Sequence, residues 1–374
     1  MEVDKCIGGI FVNKKDYYNK YEYIYGTICN SGKASLRRLV NNLVDDGIAT
    51  RRKKSKDGEQ IYIGEMSDVE GVQLCLESQP DTIKQIENWE FNNFYRYSSL
   101  FDIQGFSIET LNSLEKEGKI IPHEKIAGHE ELYVTTMKPS VRNNNNEILL
   151  KFNLKIQAEN VVNEIIKRKY SIVVLIKQEE HILEIRFNPL ERIFDKNRFR
   201  YVYSALAWLR EYLSIKVTPI DFRETTEYLK VNGNQNKIVL SGEDMRMSSG
   251  GKATIDVGND EKQILPFIGE LKEIIKNNEQ LFQKAPEIKK ILEDFIYEKE
   301  NMSDFPWVKF RFQHIDAEVK FIFDYDAEGM CLLQHLYSHL KANSGRERMD
   351  YVSGIINDTR KLVEKNKDNR NGTE

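Results

Sequence analysis

The sequence predicts an α+β protein in which two N-terminal segments, each a helix leading into an extended hairpin, precede a C-terminal module of two related helix–strand–strand–helix units. Three observations carry this expectation. At 374 residues the chain exceeds what one ordinary core organises. Its first third breaks into short amphipathic stretches separated by glycine turns. Further on, Val308, Phe310, Phe312 and then Val319, Phe321, Phe323 alternate with polar residues, the period of half-buried strands.

Taken in order, the segments are 1–77, 78–140, 148–258, 259–362 and a disordered tail, 363–374. SQPDT (78–82) punctuates the first boundary, and KPSVRNNNNE (138–147) has nothing to bury and reads as a linker. Beyond it, AENVVNEIIKRK, YSIVVLIK, HILEIRFN and ERIFDKNRFRYVYSALAWLREYL read helix, strand, strand, helix. The same order returns in PEIKKILEDFIYEK, WVKFRFQHI, EVKFIFDYD and AEGMCLLQHLYSHL. Between these units, 241–260 reads as a mobile loop or loose hairpin, and EKQILPFIGELKEIIKNNEQLF as a long amphipathic helix. A last helix is expected over RERMDYVSGIINDTRKLVEK.

The opening segment concentrates positive charge. Twelve cations against nine carboxylates over Met1–Met66 give +3, while the whole chain stands at -4. In ASLRRLVNNLVDDG, Leu36, Leu39, Val40, Leu43 and Val44 form an apolar stripe that leaves Lys33, Ser35, Arg37, Arg38, Asn41 and Asn42 off it. Gly47 is placed for a left-handed cap, and RRKKSKDG for a hairpin tip bearing Arg51, Arg52, Lys53, Lys54 and Lys56. A helix fits the major groove and a basic hairpin can follow neighbouring phosphates, so the pattern points to double-stranded DNA. A basic turn serving protein contacts is the competing reading.

This segment, about 5–64, resembles the winged helix-turn-helix of MarR-type bacterial regulators. The following one, about 82–135, resembles the MerR-type winged helix, with Gly105, Ser107, Thr110, Leu111, Glu115, Gly118, Pro122, Gly128 and Tyr133 at that family's positions. The two resemblances imply a tandem of winged helices. In the second copy Asn112 and Lys116 are the candidate DNA contacts, but Glu130 and Glu131 stand where the family tends to be basic. Carboxylates there repel phosphates, so structural or protein-binding use of this copy is the alternative.

Enzymatic patterns are sparse. Asp316, Glu318 and Lys320, with Asp304 and Gln334 nearby, mimic the carboxylates and lysine of a metal-dependent nuclease, although Asp316 falls where a hairpin turn is expected. Cys331, His335 and His339 are spaced for one face of a helix, where a pair could meet zinc with His314 or Asp324. The alternative is a polar helix stripe. GEDMRMSSGGKAT lacks the glycine and hydroxyl of a P-loop, having Arg246 and Ala253 there, though Arg246 and Lys252 could meet a phosphate backbone. Arg198, Arg200 and Arg210 interleave with Phe199, Tyr201, Tyr203 and Trp208, a pattern that stacks on unpaired bases or, more plainly, fills a core.

Four scattered cysteines argue against a disulfide framework, and neither a signal peptide nor a membrane-length apolar run is visible. The expectation is a cytoplasmic, cofactor-free DNA-binding protein: a bacterial regulator or the DNA-targeting part of a mobile-element or defence system. Its C-terminal module would serve self-association or a protein partner. A nuclease using Glu318 and Lys320, or an adaptor in a multi-protein complex, are the alternatives.

Overall fold

The structure is a computed structural model. It describes residues 15–53, 60–79, 81–125, 137–144, 147–195, 197, 199–246, 252–256, 271, 274–301, 304–323, 326, 329–337 and 345–371. The chain is mixed α and β, and it divides into two compact units, Met1–Thr218 with Leu340–Glu347, and Pro219–His339 with Arg348–Glu374. The expected boundary at 258/259 therefore does not coincide with the division at 218/219.

Unit one begins with a helical cluster: α1 (Lys15–Cys29), α2 (Lys33–Asp45), α3 (Asp68–Ser78) and α4 (Thr82–Phe91). Their apolar stripes make one core, with Tyr25, Ile28, Leu39, Leu43, Val72, Ile83, Ile86 and Trp89 all buried. Gly47 adopts φ +73° after α2, the left-handed conformation expected of it. Ser67 begins α3 through a reciprocal cap with Glu70.

The sheet of unit one follows. Its strands are β3 (Tyr97–Gln104), β4 (Ile121–Pro122), β5 (Ser140–Asn144), β6 (Glu147–Glu159), β7 (Ile165–Lys177), β8 (Ile182–Phe187) and β9 (Lys216–Pro219). They run β4-β5-β6-β7-β8-β3, with β9 also on β3. Opposed residues of an antiparallel pair project to the same side, so register defines two faces. One carries Leu150, Phe152, Ile172, Val174, Ile185 and Phe187, all buried. α6 (Arg200–Tyr212) covers it, Trp208 meeting Phe152 edge-on at 5.4 Å and the preceding Phe199 meeting Phe187 at 5.4 Å. The other face bears Lys151, Asn153, Lys169, Glu184 and Arg186, also buried.

Two expectations are corrected here. AENVVNEIIKRK is not a helix but the ends of β6 and β7 with the turn between them. Asn160 builds that turn, its Oδ1 accepting from the amides of Val162 and Glu164 at 2.9 Å each, while Asn163 takes φ +60°. The expected linker 138–147 contributes β5, hydrogen-bonded to β6.

Unit two contains α7 (Arg223–Asn232) and an antiparallel sheet of β10 (Ile238–Arg246), β11 (Lys252–Asp256), β12 (Asp304–Phe312), β13 (Ala317–Ile322) and β14 (Leu332–Tyr337), ordered β11-β10-β12-β13-β14. Its described residues also include helices α8 (Glu279–Phe282) and α9 (Pro286–Asn301) and, from Arg348, α10 (Glu347–Asn371). Of the hairpin expected within 241–260, β10 and β11 are the described part. AEGMCLLQHLYSHL was expected to be helical, but its described central part is β14, fully paired with β13 from Ala317↔Tyr337 to Ile322↔Leu332. The tail is helical to Asn371, where disorder from 363 was expected.

Candidate nucleic-acid interface

α1 and α2 are joined by a three-residue turn, Asn30–Gly32, closed by the amides of Asn30 and Ser31 donating to the carbonyls of Thr27 and Ile28 at 3.2 Å each. Leu36, Leu39, Val40 and Leu43 bury the inner stripe of α2. Lys33, Arg37 and Asn41, spaced four apart, form an exposed row with Asn42 beside it.

Ser35 and Arg38 are not on that face. The Ser35 hydroxyl donates to Asn93 Oδ1 at 2.7 Å, and Arg38 Nη2 donates to the same oxygen at 3.0 Å. Trp89 Nε1 donates to the Ser35 carbonyl at 2.9 Å. A Cβ at position 345 would lie 2.5 Å from the Asn92 carbonyl oxygen and equally close to Arg38 Nη1, so Gly345 is what lets the chain pass the backbone at the end of α4. These two residues tie α2 to the end of α4, which corrects their assignment as groove contacts.

The basic segment is also shaped differently. Its flanking strands, β1 (Ala49–Thr50) and β2 (Ile61–Tyr62), pair in parallel, Ala49 opposite Ile61 and Thr50 opposite Tyr62, where a hairpin requires antiparallel pairing. This register sends Ile48, Ala49 and Ile63 into the same helical core. Arg51, Arg52 and Lys53 are exposed, but Arg51 lies 3.8 Å from Asp68 and Lys53 2.8 Å from Glu65. Lys54 and Lys56 lie outside the described residues.

In the second segment, Ser107 caps α5 (Ile108–Lys116) by accepting from the amides of Glu109 and Thr110. The same hydroxyl holds the Glu109 carboxyl below its ordinary pKa. Asn112 and Lys116 are exposed on α5, as expected of contacts with a ligand or with water. The segment does not stand apart as a domain, however: α4 packs in the helical core and β3 pairs with β8 from Tyr97↔Phe187 to Asp102↔Ile182. Gly128, Glu130, Glu131 and Tyr133 lie outside the described residues.

Several residues of the enzymatic candidates have identifiable neighbours. Asp316 sits at φ +50° in the β12–β13 turn. Glu318 accepts from Arg311 Nε and Nη2 at 2.9 and 2.7 Å, and Lys320 Nζ rests 3.6 Å from the centroid of the Trp307 ring. Carboxylate and lysine are thus both committed to neighbours on β12. Cys331 and His335, four residues apart in extended chain, are separated by about 13 Å rather than one helical turn. Both are buried, and His339 lies outside the described residues. Among the described residues no group of three or more His, Cys, Asp or Glu could hold a metal. Phe199, which precedes α6, and Trp208, on its buried side, are core residues, which favours the plainer reading of that aromatic stretch. Arg198 lies outside the described residues.

Sequence reasoning missed a buried charge cluster of unit one. Glu87 and Glu90 project from α4 onto the charged sheet face, where Lys151 pairs with both and Lys169 lies 2.5 Å from Glu90 and 3.9 Å from Glu87. Asn153 Nδ2 donates to Glu87 at 3.2 Å. Both lysine side chains and that of Glu87 are completely buried. Around this quartet, Arg142 donates to Asn88 at 2.5 Å and covers the Phe91 ring at 4.6 Å. The buried phenol of Tyr95 is pushed to a higher pKa, first by desolvation and then by Glu90. No local signal joins residues so far apart in sequence.

No helix among the described residues is long and apolar enough to cross a membrane. No protein-family model matches this chain, and no curated protein is significantly similar to it.

Proposed function

We propose that this protein binds double-stranded DNA, presenting α2 to the major groove while Arg51, Arg52 and Lys53 follow the adjacent phosphates. It would act as a regulator or as the DNA-targeting component of a mobile-element or defence system. The exposed row Lys33, Arg37, Asn41 carries the reading, because it stands on a helix that begins straight after the tight turn ending α1. Arginine and asparagine are the side chains best suited to base edges, and lysine to phosphate. Asn112 and Lys116 offer a second exposed pair on α5.

Anisotropy of a labelled random-sequence duplex, titrated across a salt series, tests this. The expected slope of log K against log salt is about -3.6 to -4.5, equivalent to about four or five phosphates. Changing Arg37 and Arg52 together to Glu is expected to weaken binding at least about tenfold, with thermal stability unchanged. Binding that is flat with salt, or indifferent to those changes, overturns the proposal. The second reading, an adaptor whose N-terminal cluster contacts protein, is supported by the Arg51–Asp68 and Lys53–Glu65 pairs, which already neutralise two of the basic segment's charges.

A further inference from the structure

Unit one takes in a short piece of chain from far downstream, Leu340–Glu347, of which Gly345–Glu347 is described. Two bonds fasten this strap. The Arg346 amide donates to the Asn92 carbonyl at the end of α4 at 3.1 Å, and Arg346 Nη2 donates to Glu147 Oε2, where β6 begins, at 2.5 Å. The two side chains of that ion pair are 14% and 28% exposed, so salt and water compete weakly for it. Gly345 meets two groups at once: an added Cβ would stand 2.5 Å from the Asn92 carbonyl oxygen and 2.5 Å from Arg38 Nη1 of α2.

The residue after Asn92 holds α2. Asn93 Oδ1 gathers three donors, the Ser35 hydroxyl at 2.7 Å, Arg38 Nη2 at 3.0 Å and the Phe94 amide at 2.9 Å. The apolar stripe of α2 sets how deep the helix sits, whereas hydrogen bonds to one oxygen are directional and set its angle about its own axis. That angle decides where Lys33, Arg37 and Asn41 point. At a side-chain radius of about 5–6 Å, a turn of about 20° carries the end of Arg37 roughly 2 Å sideways, more than a bond to a base edge tolerates.

We propose that Gly345–Glu347 is a positioning strap: by closing on Asn92 and Arg38 it fixes the rotation of α2, and with it the grip of the exposed row on a duplex. The inference rests on the DNA-binding reading above. It adds a route of control, since Glu347 is also the first residue of α10 and tension on that helix pulls directly on the strap.

Hydrogen exchange and duplex binding, both measured on the full chain, test the two halves separately. Gly345→Ala drives a methyl group against a backbone carbonyl. It is expected to speed exchange of the α2 amides at least about tenfold while those of β6 and β7 keep the parent rates, whereas a general loss of stability speeds both sets alike. It is also expected to raise the dissociation constant for a labelled random-sequence duplex about tenfold. Asn93→Leu, which removes the shared acceptor, is expected to reproduce both effects, and Asn93→Asp, which keeps an oxygen there, to stay within about twofold of the parent. If Gly345→Ala fails to fold, Arg346→Ala, which leaves the backbone alone, carries the same test. Exchange in α2 that none of these variants moves overturns the strap, whatever the parent binds. Faster exchange in α2 with duplex affinity unchanged overturns its part in the grip. A parent that binds no duplex overturns the DNA-binding reading and the use assigned to the strap, while exchange still decides whether strap and helix are coupled.

Discussion

The two faces of the unit-one sheet are closed by opposite chemistry. Under α6 lie Phe152, Ile172, Val174 and Phe187, a core that needs only volume and shape. Under α4 lie Lys151 and Lys169, which must meet Glu87 and Glu90 with the right geometry or remain buried and uncompensated. An apolar face tolerates sliding by small amounts, whereas an ionic one holds its partner in a single position. The helical cluster carrying α2 is therefore indexed to the sheet by charge, while α6 is held by area.

Single truncations should cost similar amounts on the two faces yet respond differently to a second change. Phe152→Ala and Lys151→Ala are each expected to destabilise by about 3–5 kcal/mol in urea unfolding, the first by a cavity and the second by stranding carboxylates. Replacing Glu87, Glu90, Lys151 and Lys169 together by apolar residues of similar volume should recover that loss or even gain about 1–4 kcal/mol. A quadruple variant worse than Lys151→Ala would mean that the quartet is held together by more than mutual neutralisation.

A smaller effect sharpens the contrast. Arg311 and Glu318 make a geometrically good pair in unit two, but with side chains 37% and 25% exposed. Arg311→Ala is expected to cost under about 1 kcal/mol, since water replaces much of what is lost. A cost near that of Lys151→Ala would show that exposure is not what separates the two pairs.

The smallest effect is in pH. His123, edge-on to Phe91 at 5.5 Å, has its pKa lowered from 6.5 by burial and then by the neighbouring Arg142. The unfolded chain thus binds its proton first on acidification. Stability is complete above the ordinary histidine value and falls as pH drops through it towards the folded value. His123→Gln is expected to flatten that part of a stability profile measured between neutral and mildly acidic pH, and an unchanged slope would assign it to another group.

Much of the fold was legible where one face of an element is apolar and the other is wet. The α2 stripe at Leu36, Leu39, Val40 and Leu43, the Gly47 cap, and the β12–β13 hairpin with its turn at Asp316 follow from period and turn chemistry. Legibility failed where apolar residues run together. Val161, Val162, Ile165 and Ile166 satisfy helical spacing, yet the Asn160 turn divides them, and Val161 is fully exposed at its tip. Met330–Leu333 is a continuous buried run, which fits a strand and a helix equally well until a partner such as β13 is present. On the candidate interface, sequence separated α2's apolar from its polar positions correctly, but not the polar ones that face Asn93 from those that face water. That distinction depends on a residue more than fifty positions away.

The buried quartet also limits how this protein can evolve. A substitution that removes one of Glu87, Glu90, Lys151 or Lys169 leaves an odd charge with nowhere to find water, so single steps at these positions are closed to neutral drift. Change can pass only through paired loss of one carboxylate and one lysine. Related chains that have diverged around this sheet should accordingly hold all four charges, one pair or none, with the intermediate states missing from the record.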